Sequence, residues 1–242
     1  MLSDFNCKIL DIDRYKFYLG DETILSIEAQ KLVDDINLLG SCGFHKLIHQ
    51  IKTDPTSPYY VYKNAAAEII RRVKKESVNK LSGKYSFYTV PVLCLNEDTP
   101  FIKGLESFTA LNDNYIFFEL PPADDLTDQL FVSLNYLLYQ RRIIPAFTNI
   151  QAYLNTYSVS DINRIINIKG AAFQFSLDYI SISQHINTIK YILNNGGLIL
   201  LGSSSEHSTL NITEINKSLM HLKKHLGNNE YMNLIFRSRS LI

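Results

Sequence analysis

Residues 143–147 read Ile-Ile-Pro-Ala-Phe and are followed by Thr-Asn-Ile-Gln-Ala-Tyr at 148–153, while residues 198–201 read Leu-Ile-Leu-Leu and are followed by Gly-Ser-Ser-Ser-Glu-His at 202–207. A short apolar run that ends in polar residues is typical of a strand buried on both faces in a sheet covered by helices. In α/β proteins, the loops that leave the carboxyl ends of such strands carry the functional site. These two stretches therefore predict the kind of sheet and the place where chemistry should be sought.

The same alternation of strand and helix patterns runs through all 242 residues. Strands are predicted at 5–10, 44–51, 87–95, 115–120, 143–147, 171–177 and 198–201. Helices are predicted at 26–39, 64–81, 127–138, 160–168, 183–195, 213–226 and 230–236, with Ser26, Thr127 and Thr213 as N-caps and Gly40 after the first. Pro91 argues for an edge position of its strand or for a local irregularity. Six or seven βα units favour a single barrel domain over residues 1–242 rather than an open sheet.

Composition limits the classes of partner and the compartment. Lys+Arg and Asp+Glu balance at 24 each, so no global basic field would gather nucleic acid. Cys7, Cys42 and Cys94 fall in no metal-binding or disulfide spacing, which favours a reducing compartment. The first residues lack a basic segment followed by an apolar stretch, and no apolar run reaches about 18 residues. A cytoplasmic location without a transmembrane segment is therefore expected.

Four phrases follow one another within predicted strands or next to them: Tyr-Ile-Phe-Phe-Glu-Leu at 115–120, Thr-Asn-Ile-Gln-Ala-Tyr at 148–153, Gly-Ala-Ala-Phe-Gln at 170–174 and Gly-Ser-Ser-Ser-Glu at 202–206. Their order resembles the polymerase and histidinol phosphatase (PHP) superfamily, specifically the metal-dependent tyrosine phosphatases of Gram-positive capsule and exopolysaccharide operons. In that family the phrases contain Ile-Glu-Phe, Ala-His-Pro-Glu-Arg-Tyr, Gly-Ala before a Gln, and Ala-Ser-Asp-Ala-His. Upstream, the family's Asp-x-His-x-His aligns with 4–8, its Thr-Pro-His loop falls near 50–52, and its Gly-x-Glu turn falls at 95–97. The resemblance implies an α/β fold, a distorted TIM-like (β/α)7 barrel of PHP type.

The resemblance also implies where metal ligands would stand. Family enzymes hold two or three divalent ions with His and carboxylate side chains, which generate hydroxide and clamp phosphate oxygens. Carried over by position, Asp4 and Glu97 are kept. The other ligand positions are occupied by Asn6 and Lys8 for the first two His, Asn149 for the third, Ser204 for the Asp and Glu206 for the last His, with His207 one place out of register.

These replacements suit metal binding poorly. Asn and Ser oxygens are weak neutral ligands for a transition metal, and Lys8 would bring an ammonium to a cation site. The Glu and Arg that follow the family's third His become Gln151 and Ala152, so a phosphate-contacting cation is lost as well. No catalytic residue, metal or cofactor is therefore expected.

Three hypotheses follow from the resemblance. The first is a catalytically degenerate pseudo-phosphatase that binds or regulates in polysaccharide production, with a bacterial tyrosine kinase or another polysaccharide-assembly protein held at a pocket of Asn149, Gln151 and Tyr153. The alternative is an active phosphoesterase, a protein-tyrosine phosphatase with one Mn²⁺ or Mg²⁺. Its candidate metal residues are Asp4, Glu97, Glu206 and His207. The third is a structural subunit that forms a homo-oligomer or pairs with an active paralogue.

Other motifs favour ordinary structural roles. His221 and His225 lie four residues apart on a predicted helix, a spacing typical of a surface pair in the absence of a third ligand. The basic run at 71–75 is balanced by Glu68 and Glu76 and indicates a solvated helix face. No Gly-x-Ser-x-Gly motif supports a serine hydrolase.

Overall fold

The computed structural model describes residues 2–5, 22–53, 67–68, 70–71, 75, 81, 83–110, 115–177, 180, 183–203 and 211–240. Seven strands form one sheet. They are β1 (Leu2–Asp4), β2 (Phe44–Lys52), β3 (Ser86–Cys94), β4 (Tyr115–Glu119), β5 (Ile144–Phe147), β6 (Ala172–Ser176) and β7 (Leu198–Gly202).

Helices alternate with these strands along the chain. Within the described ranges they are α1 (Glu22–Ser41), α2 (Asp128–Tyr139), α3 (Val159–Ile166), α4 (Ser183–Asn194), α5 (Ile212–Leu226) and α6 (Asn228–Ser240). Short 3₁₀ segments lie at Thr99–Phe101, Leu105–Phe108, Ala123–Asp125 and Ile150–Ala152. None of the helices in the described part of the chain is long and apolar enough to cross a membrane.

Every pair of neighbouring strands is parallel, and the strands follow one another around the sheet in sequence order from β1 to β7. The ends of the sheet approach each other beyond β1. Phe5 N donates to Leu201 O at 2.9 Å, and Ser203 N donates to the Asp4 carboxylate at 2.8 Å. The fold is therefore a nearly closed α/β barrel of TIM type, which confirms the predicted fold class.

The core has two layers, as the barrel geometry requires. The inner layer fills the barrel and includes Ile48, Val90, Phe117, Ala146 and Leu200. The outer, larger layer lies between the strands and the helices, and its largest fully buried side chains include phenylalanines from four strands. Strands covered on both faces in this way read as continuous apolar runs, which is why most of them are legible in the sequence.

Two predicted elements near the amino terminus differ from the structure. The first strand is β1 at Leu2–Asp4, earlier than the predicted 5–10, because Leu2 pairs with Phe44 of β2; residues 6–10 lie outside the described residues. Helix α1 begins before Ser26 and passes through Gly40. Gly43, with φ of 91°, adopts the left-handed conformation instead, and its N–H donates to Gly40 O at 2.8 Å.

The predicted edge position of Pro91 is wrong. The strand β3 lies inside the sheet between β2 and β4, and Pro91 is in register with Ile51. The pairing continues beyond the proline, since Thr53 N donates to Val92 O at 2.8 Å. The sheet therefore accommodates a residue without an N–H at an interior strand.

The helix caps agree in part with the sequence. Thr127 caps α2 as predicted, accepting a hydrogen bond from Leu130 N at 3.2 Å. Helix α3 begins earlier than predicted because Ser158 is its cap, and Asn211, not Thr213, caps α5. In the predicted helix 64–81, residues 67, 68, 70, 71 and 75 are helical; most of its other residues and of the predicted loop at 53–58 fall outside the described ranges.

Candidate functional site

The carboxyl ends of the strands give the barrel a polar mouth. Alternation along each strand sends every second side chain into the barrel, as the inner-layer residues Ile48, Phe117 and Ala172 do. Continuing by two or four residues from these positions leads to polar side chains at the strand ends. They are Gln50 and Lys52 of β2, Glu119 of β4, and Gln174 and Ser176 of β6.

Asp4 closes the barrel at one side of this mouth. Its carboxylate is fully buried and accepts a hydrogen bond from Ser203 N, just beyond β7, at 2.8 Å. Nearby, Gln50 Nε2 donates to Phe5 O at 2.7 Å. The carboxylate that the resemblance keeps as a metal ligand thus holds β1 to the end of β7.

A chain of amides connects β5 and β6. Asn149 N donates to Gln174 Oε1 at 2.7 Å, and Gln151 Nε2 donates to Asn149 Oδ1 at 2.6 Å. Asn149 itself has φ of 49° and ψ of 43°, a left-handed conformation that asparagine tolerates better than most residues. The backbone turn after β5 is therefore fixed by side chains of β6 and of the following 3₁₀ segment.

A lysine and a glutamate form an ion pair over β3. Lys52 Nζ lies 2.9 Å from Glu119 Oε1 and 2.8 Å from Glu119 Oε2. The Lys52 side chain is 77% exposed and that of Glu119 is 31% exposed. A positive charge therefore stands at the mouth of the barrel, between the ends of β2 and β4.

A cavity of about 760 Å³ lies beside this ion pair, over the ends of β3 and β4. Its apolar walls include Leu95, Leu120, Pro121 and Pro122, and Tyr153 also lines it. Five carboxylates also line it: Glu97, Asp98, Glu119, Asp124 and Asp125. The cavity therefore offers apolar contact surface inside a strongly negative rim.

Glu97 supports the start of a helix. Thr127 Oγ1 donates to Glu97 Oε1 at 2.5 Å, and Ser133 Oγ of α2 donates to Glu97 O at 2.8 Å. Thr127 is also the N-cap of α2. The Glu97 carboxylate thus takes part in the capping of α2 while it lines the cavity.

Tyr153 connects the cavity to the ends of β4. Its hydroxyl donates to Leu120 O at 3.0 Å, and its ring packs on Tyr157 with centroids 5.2 Å apart. Burial raises the pKa of Tyr153 to about 12, with a further contribution from the nearby Glu119 charge. Burial also raises the pKa of Tyr157. Both phenols therefore stay neutral at physiological pH and can act as hydrogen-bond donors.

The structure brings some of the sequence-predicted residues together. Asn149 and Gln151 are hydrogen-bonded to each other, and Glu97 and Tyr153 line one cavity. Ala152 is exposed on the 3₁₀ segment after β5. The predicted positions Asn6, Lys8, Ser204, Glu206 and His207 lie outside the described residues.

Sequence reasoning assigned no role to Lys52, Glu119, Gln174 or Ser176. Lys52, Glu119 and Gln174 entered only as parts of stretches that match the family's phrases. The signal that could have found all four is positional: each is a polar residue two or four positions after an apolar inward-facing residue of its strand, which is Ile48, Phe117 or Ala172.

The histidines in the described ranges have other surroundings. His45 stacks on Tyr85 with centroids 5.3 Å apart, and His49 and His185 are buried. His221 and His225 lie on α5 with ring centroids 4.3 Å apart. Within the described part of the chain, no group of three or more His, Cys, Asp or Glu residues could hold a metal ion.

The described side chains at the mouth do not fit a centre of two or three metal ions. Such a centre needs several deprotonated ligands that converge on each ion. Here Asp4 Oδ1 accepts Ser203 N, Asn149 Oδ1 accepts Gln151 Nε2, and Glu119 is paired with an ammonium. At least one oxygen of each of these side chains is thus engaged with a protein group. The ammonium beside Glu119, that of Lys52, is itself a cation and would repel a metal ion.

No protein-family profile matches this sequence, and no curated protein sequence matches it. Among solved structures, the chain is similar to those of YwqE from Bacillus subtilis and CpsB from Streptococcus pneumoniae, unique metal-dependent tyrosine phosphatases. The TM-score is 0.69 at 16% identity over 99% of this chain and 94% of that chain. This similarity establishes the barrel fold and confirms, at the level of fold, the resemblance predicted from the sequence. The structure of Arabidopsis ADAL complexed with GMP is less similar, with a TM-score of 0.44 at 12% identity over 95% of this chain and 76% of that one.

Proposed function

We propose that this protein is a catalytically degenerate relative of the metal-dependent tyrosine phosphatases of capsule and exopolysaccharide biosynthesis, and that it acts by binding. The observation that carries the proposal is the Lys52 ammonium, 2.8 Å from a carboxylate oxygen of Glu119 at the mouth of the barrel. It lies in the stretch that resembles the family's Thr-Pro-His loop. An ammonium beside the carboxylate opposes the approach of a divalent cation to the same oxygens.

The turn after β5 supports the same proposal. Asn149 stands where the family has a metal-binding His, and its side-chain oxygen accepts a hydrogen bond from Gln151. Ala152 stands where the family has an Arg and offers no charge to a phosphate oxygen. The metal-binding His and the phosphate-binding Arg of the family are thus replaced by Asn149 and Ala152, which suit neither metal binding nor phosphate binding.

The cavity suggests the kind of partner. Its apolar walls and Tyr153 suit an aromatic side chain, while the four lining carboxylates outside the Lys52–Glu119 ion pair repel a phosphate group. A tyrosine-rich tail of a bacterial tyrosine kinase, or another protein of polysaccharide assembly, would therefore bind better without phosphate than with it. The protein would bind the unphosphorylated form of its partner selectively and would shield its tyrosines from phosphorylation.

The first experiment measures metal and turnover on one sample. The purified protein is incubated with Mn²⁺, Mg²⁺ and Zn²⁺, desalted, and analysed for metal content and for hydrolysis of a phosphotyrosine peptide. We expect substoichiometric metal and no turnover above the protein-free rate. Stoichiometric metal together with turnover that Asp4→Ala or Glu206→Ala abolishes would establish the one-metal phosphoesterase instead.

The second experiment measures binding of a tyrosine-rich kinase-tail peptide, in unphosphorylated and phosphorylated forms, by fluorescence anisotropy. Tyr153→Ala should weaken binding of the unphosphorylated peptide by about tenfold, since a buried aromatic contact is worth roughly 1–2 kcal/mol. Tyr139→Ala is the matched control, because Tyr139 is an exposed tyrosine of α2 outside the cavity. Equal affinity for both peptide forms, or no binding at high protein concentration, would contradict this choice of partner.

A further inference from the structure

Three buried polar atoms near the β5–β6 side of the mouth have no hydrogen-bond partner among the described residues: Gln151 Oε1, Gln174 Nε2 and Ser176 Oγ. Their residues are 4%, 0% and 1% exposed, respectively. Leaving such a group unsatisfied costs roughly 1–3 kcal/mol, and buried polar groups in native proteins are almost always paired. Three of them in one region therefore require partners from outside the protein chain, which ordered water or a ligand can provide.

The hydrogen bonds at the other ends of the two amides fix what each free end offers. Gln174 Oε1 accepts the Asn149 N–H at 2.7 Å, so the end of this amide that has no partner among the described residues is the donor Nε2. Gln151 Nε2 donates to Asn149 Oδ1 at 2.6 Å, so its remaining end is the acceptor Oε1. A donor and an acceptor are thus held in place by one backbone turn, and the Ser176 hydroxyl, two residues after Gln174 on the same face of β6, can serve as either.

The pairing of a donor with an acceptor discriminates between ligands. Phosphate oxygens accept from Gln174 Nε2, but an anion that only accepts leaves Gln151 Oε1 unsatisfied and is repelled by it. A metal cation is coordinated by Gln151 Oε1 but is repelled by the Gln174 amide protons. A neutral group with both a donor and an acceptor satisfies both ends at once.

We propose that the β5–β6 side of the barrel mouth binds a neutral group that carries a hydrogen-bond donor beside an acceptor, a carboxamide or a pair of hydroxyls, through Gln151, Gln174 and Ser176. This inference rests on the proposed function in that the mouth serves binding rather than catalysis. It goes further by assigning the chemical class that the mouth accepts and by locating the contact on β6.

The test uses four small probes that differ in charge and in the donors they offer. Acetamide and ethylene glycol are neutral and offer both donor and acceptor. Acetate is an anion that offers acceptors alone, and inorganic phosphate is an anion that keeps a hydroxyl donor at neutral pH. Each is titrated to about 200 mM into the full chain, with constant ionic strength, while the side-chain amide and backbone NMR signals of 151 and 174 are followed. Weak affinities are expected for fragments this small, since even the best bind with about 1.5 kcal/mol per heavy atom.

We expect saturable shifts of these signals with at least one neutral probe and none with acetate or phosphate. A response to acetamide alone identifies the carboxamide as the source, and a response to ethylene glycol alone identifies the hydroxyls. Gln174→Glu keeps the acceptor for Asn149 N and replaces the Nε2 donor with an acceptor, so it should weaken the response at least tenfold. Gln140→Glu, an equal charge change at an exposed residue, should leave it unchanged.

Ser176→Ala is the milder variant that decides the matter if a buried glutamate at 174 prevents folding, and it should weaken the response several-fold. No response to either neutral probe, or an equal response to acetate, would overturn the inference. Those outcomes leave the metal and turnover measurements untouched, so failure of this ligand class is distinguishable from failure of the proposed function.

Discussion

Lys52 Nζ contacts both carboxylate oxygens of Glu119, at 2.9 and 2.8 Å, across the intervening strand β3. Lys52 is in register with Val92, and Glu119 with Cys94, so the ion pair crosses one strand and is offset by two residues along it. Its importance lies in its position more than in its strength, because it places a protein cation at the mouth of the barrel.

Breaking this ion pair should change stability only slightly. Both side chains reach solvent, and exposed pairs are worth about 1 kcal/mol or less. We expect Lys52→Met and Glu119→Gln each to lower the free energy of urea unfolding by at most about 1 kcal/mol, and a double-mutant cycle to give a coupling no larger. The coupling should vanish in 1 M NaCl, where the Debye length is about 3 Å. A coupling above about 2 kcal/mol that survives salt would contradict this expectation.

The left-handed backbone conformation of Asn149 predicts a difference in stability between two substitutions at this position. Asn149→Ala and Asn149→Gly both remove the side-chain oxygen that Gln151 Nε2 contacts, but only alanine adds a Cβ at φ of 49°. We expect Asn149→Ala to be less stable than Asn149→Gly by about 1 kcal/mol, the usual cost of a left-handed residue with a Cβ. Chemical denaturation of the two variants measures the difference. If alanine were the more stable, the left-handed turn after β5 would be wrong.

Thr127 performs two tasks with one hydroxyl. It accepts the Leu130 N–H at the start of α2 and donates to Glu97. Thr127→Ala should therefore cost about 1–2 kcal/mol, the upper part of the range for a lost N-cap. Thr188→Ala is the control, because Thr188 lies inside α4, where its hydroxyl donates to Gln184 O and alanine is the better helix former. Unfolding curves in which both variants lose equally would argue against the cap.

The sequence predicts the barrel well where a strand is covered on both faces. Leu198–Leu201 is apolar at every position and Tyr115–Leu120 at every position except Glu119, and each coincides with a strand of the structure to within a residue. The short first strand could not be found in this way. Its three residues pair with Phe44, Lys46 and Leu47, some 40 residues later, and no apolar run in the sequence marks them.

The candidate site is harder to read because its contacts depend on register between strands. Asn149 and Gln151 were predicted from their place after β5, yet their partner Gln174 follows from the pairing of Phe147 with Phe173. The Lys52–Glu119 pair crosses a strand and requires the curvature of the barrel as well. Local pattern indicates which residues end a strand, but only the closed sheet determines which of those ends meet.

The phenol of Tyr153 should make stability fall at high pH. Its folded-state pKa is raised to about 12, above the value of about 10 expected in the unfolded chain. The neutral form is therefore favoured by folding: this contribution is fully present below pH 10 and is lost as the pH rises toward 12. At neutral pH, Tyr153→Phe should cost about 1 kcal/mol through loss of the hydrogen bond to Leu120 O.

The measurement is the difference in unfolding free energy between the unchanged protein and Tyr153→Phe, followed from pH 7 to pH 11.5. The difference should shrink above pH 10, since ionisation removes the advantage of the hydroxyl while phenylalanine has no proton to lose. Tyr139→Phe alters an exposed tyrosine of α2 and serves as the control, with a difference that stays small throughout. A Tyr153 difference that grows with pH would mean that the phenolate, not the phenol, is the stabilised form, and the hydrogen bond to Leu120 O would then have to be abandoned.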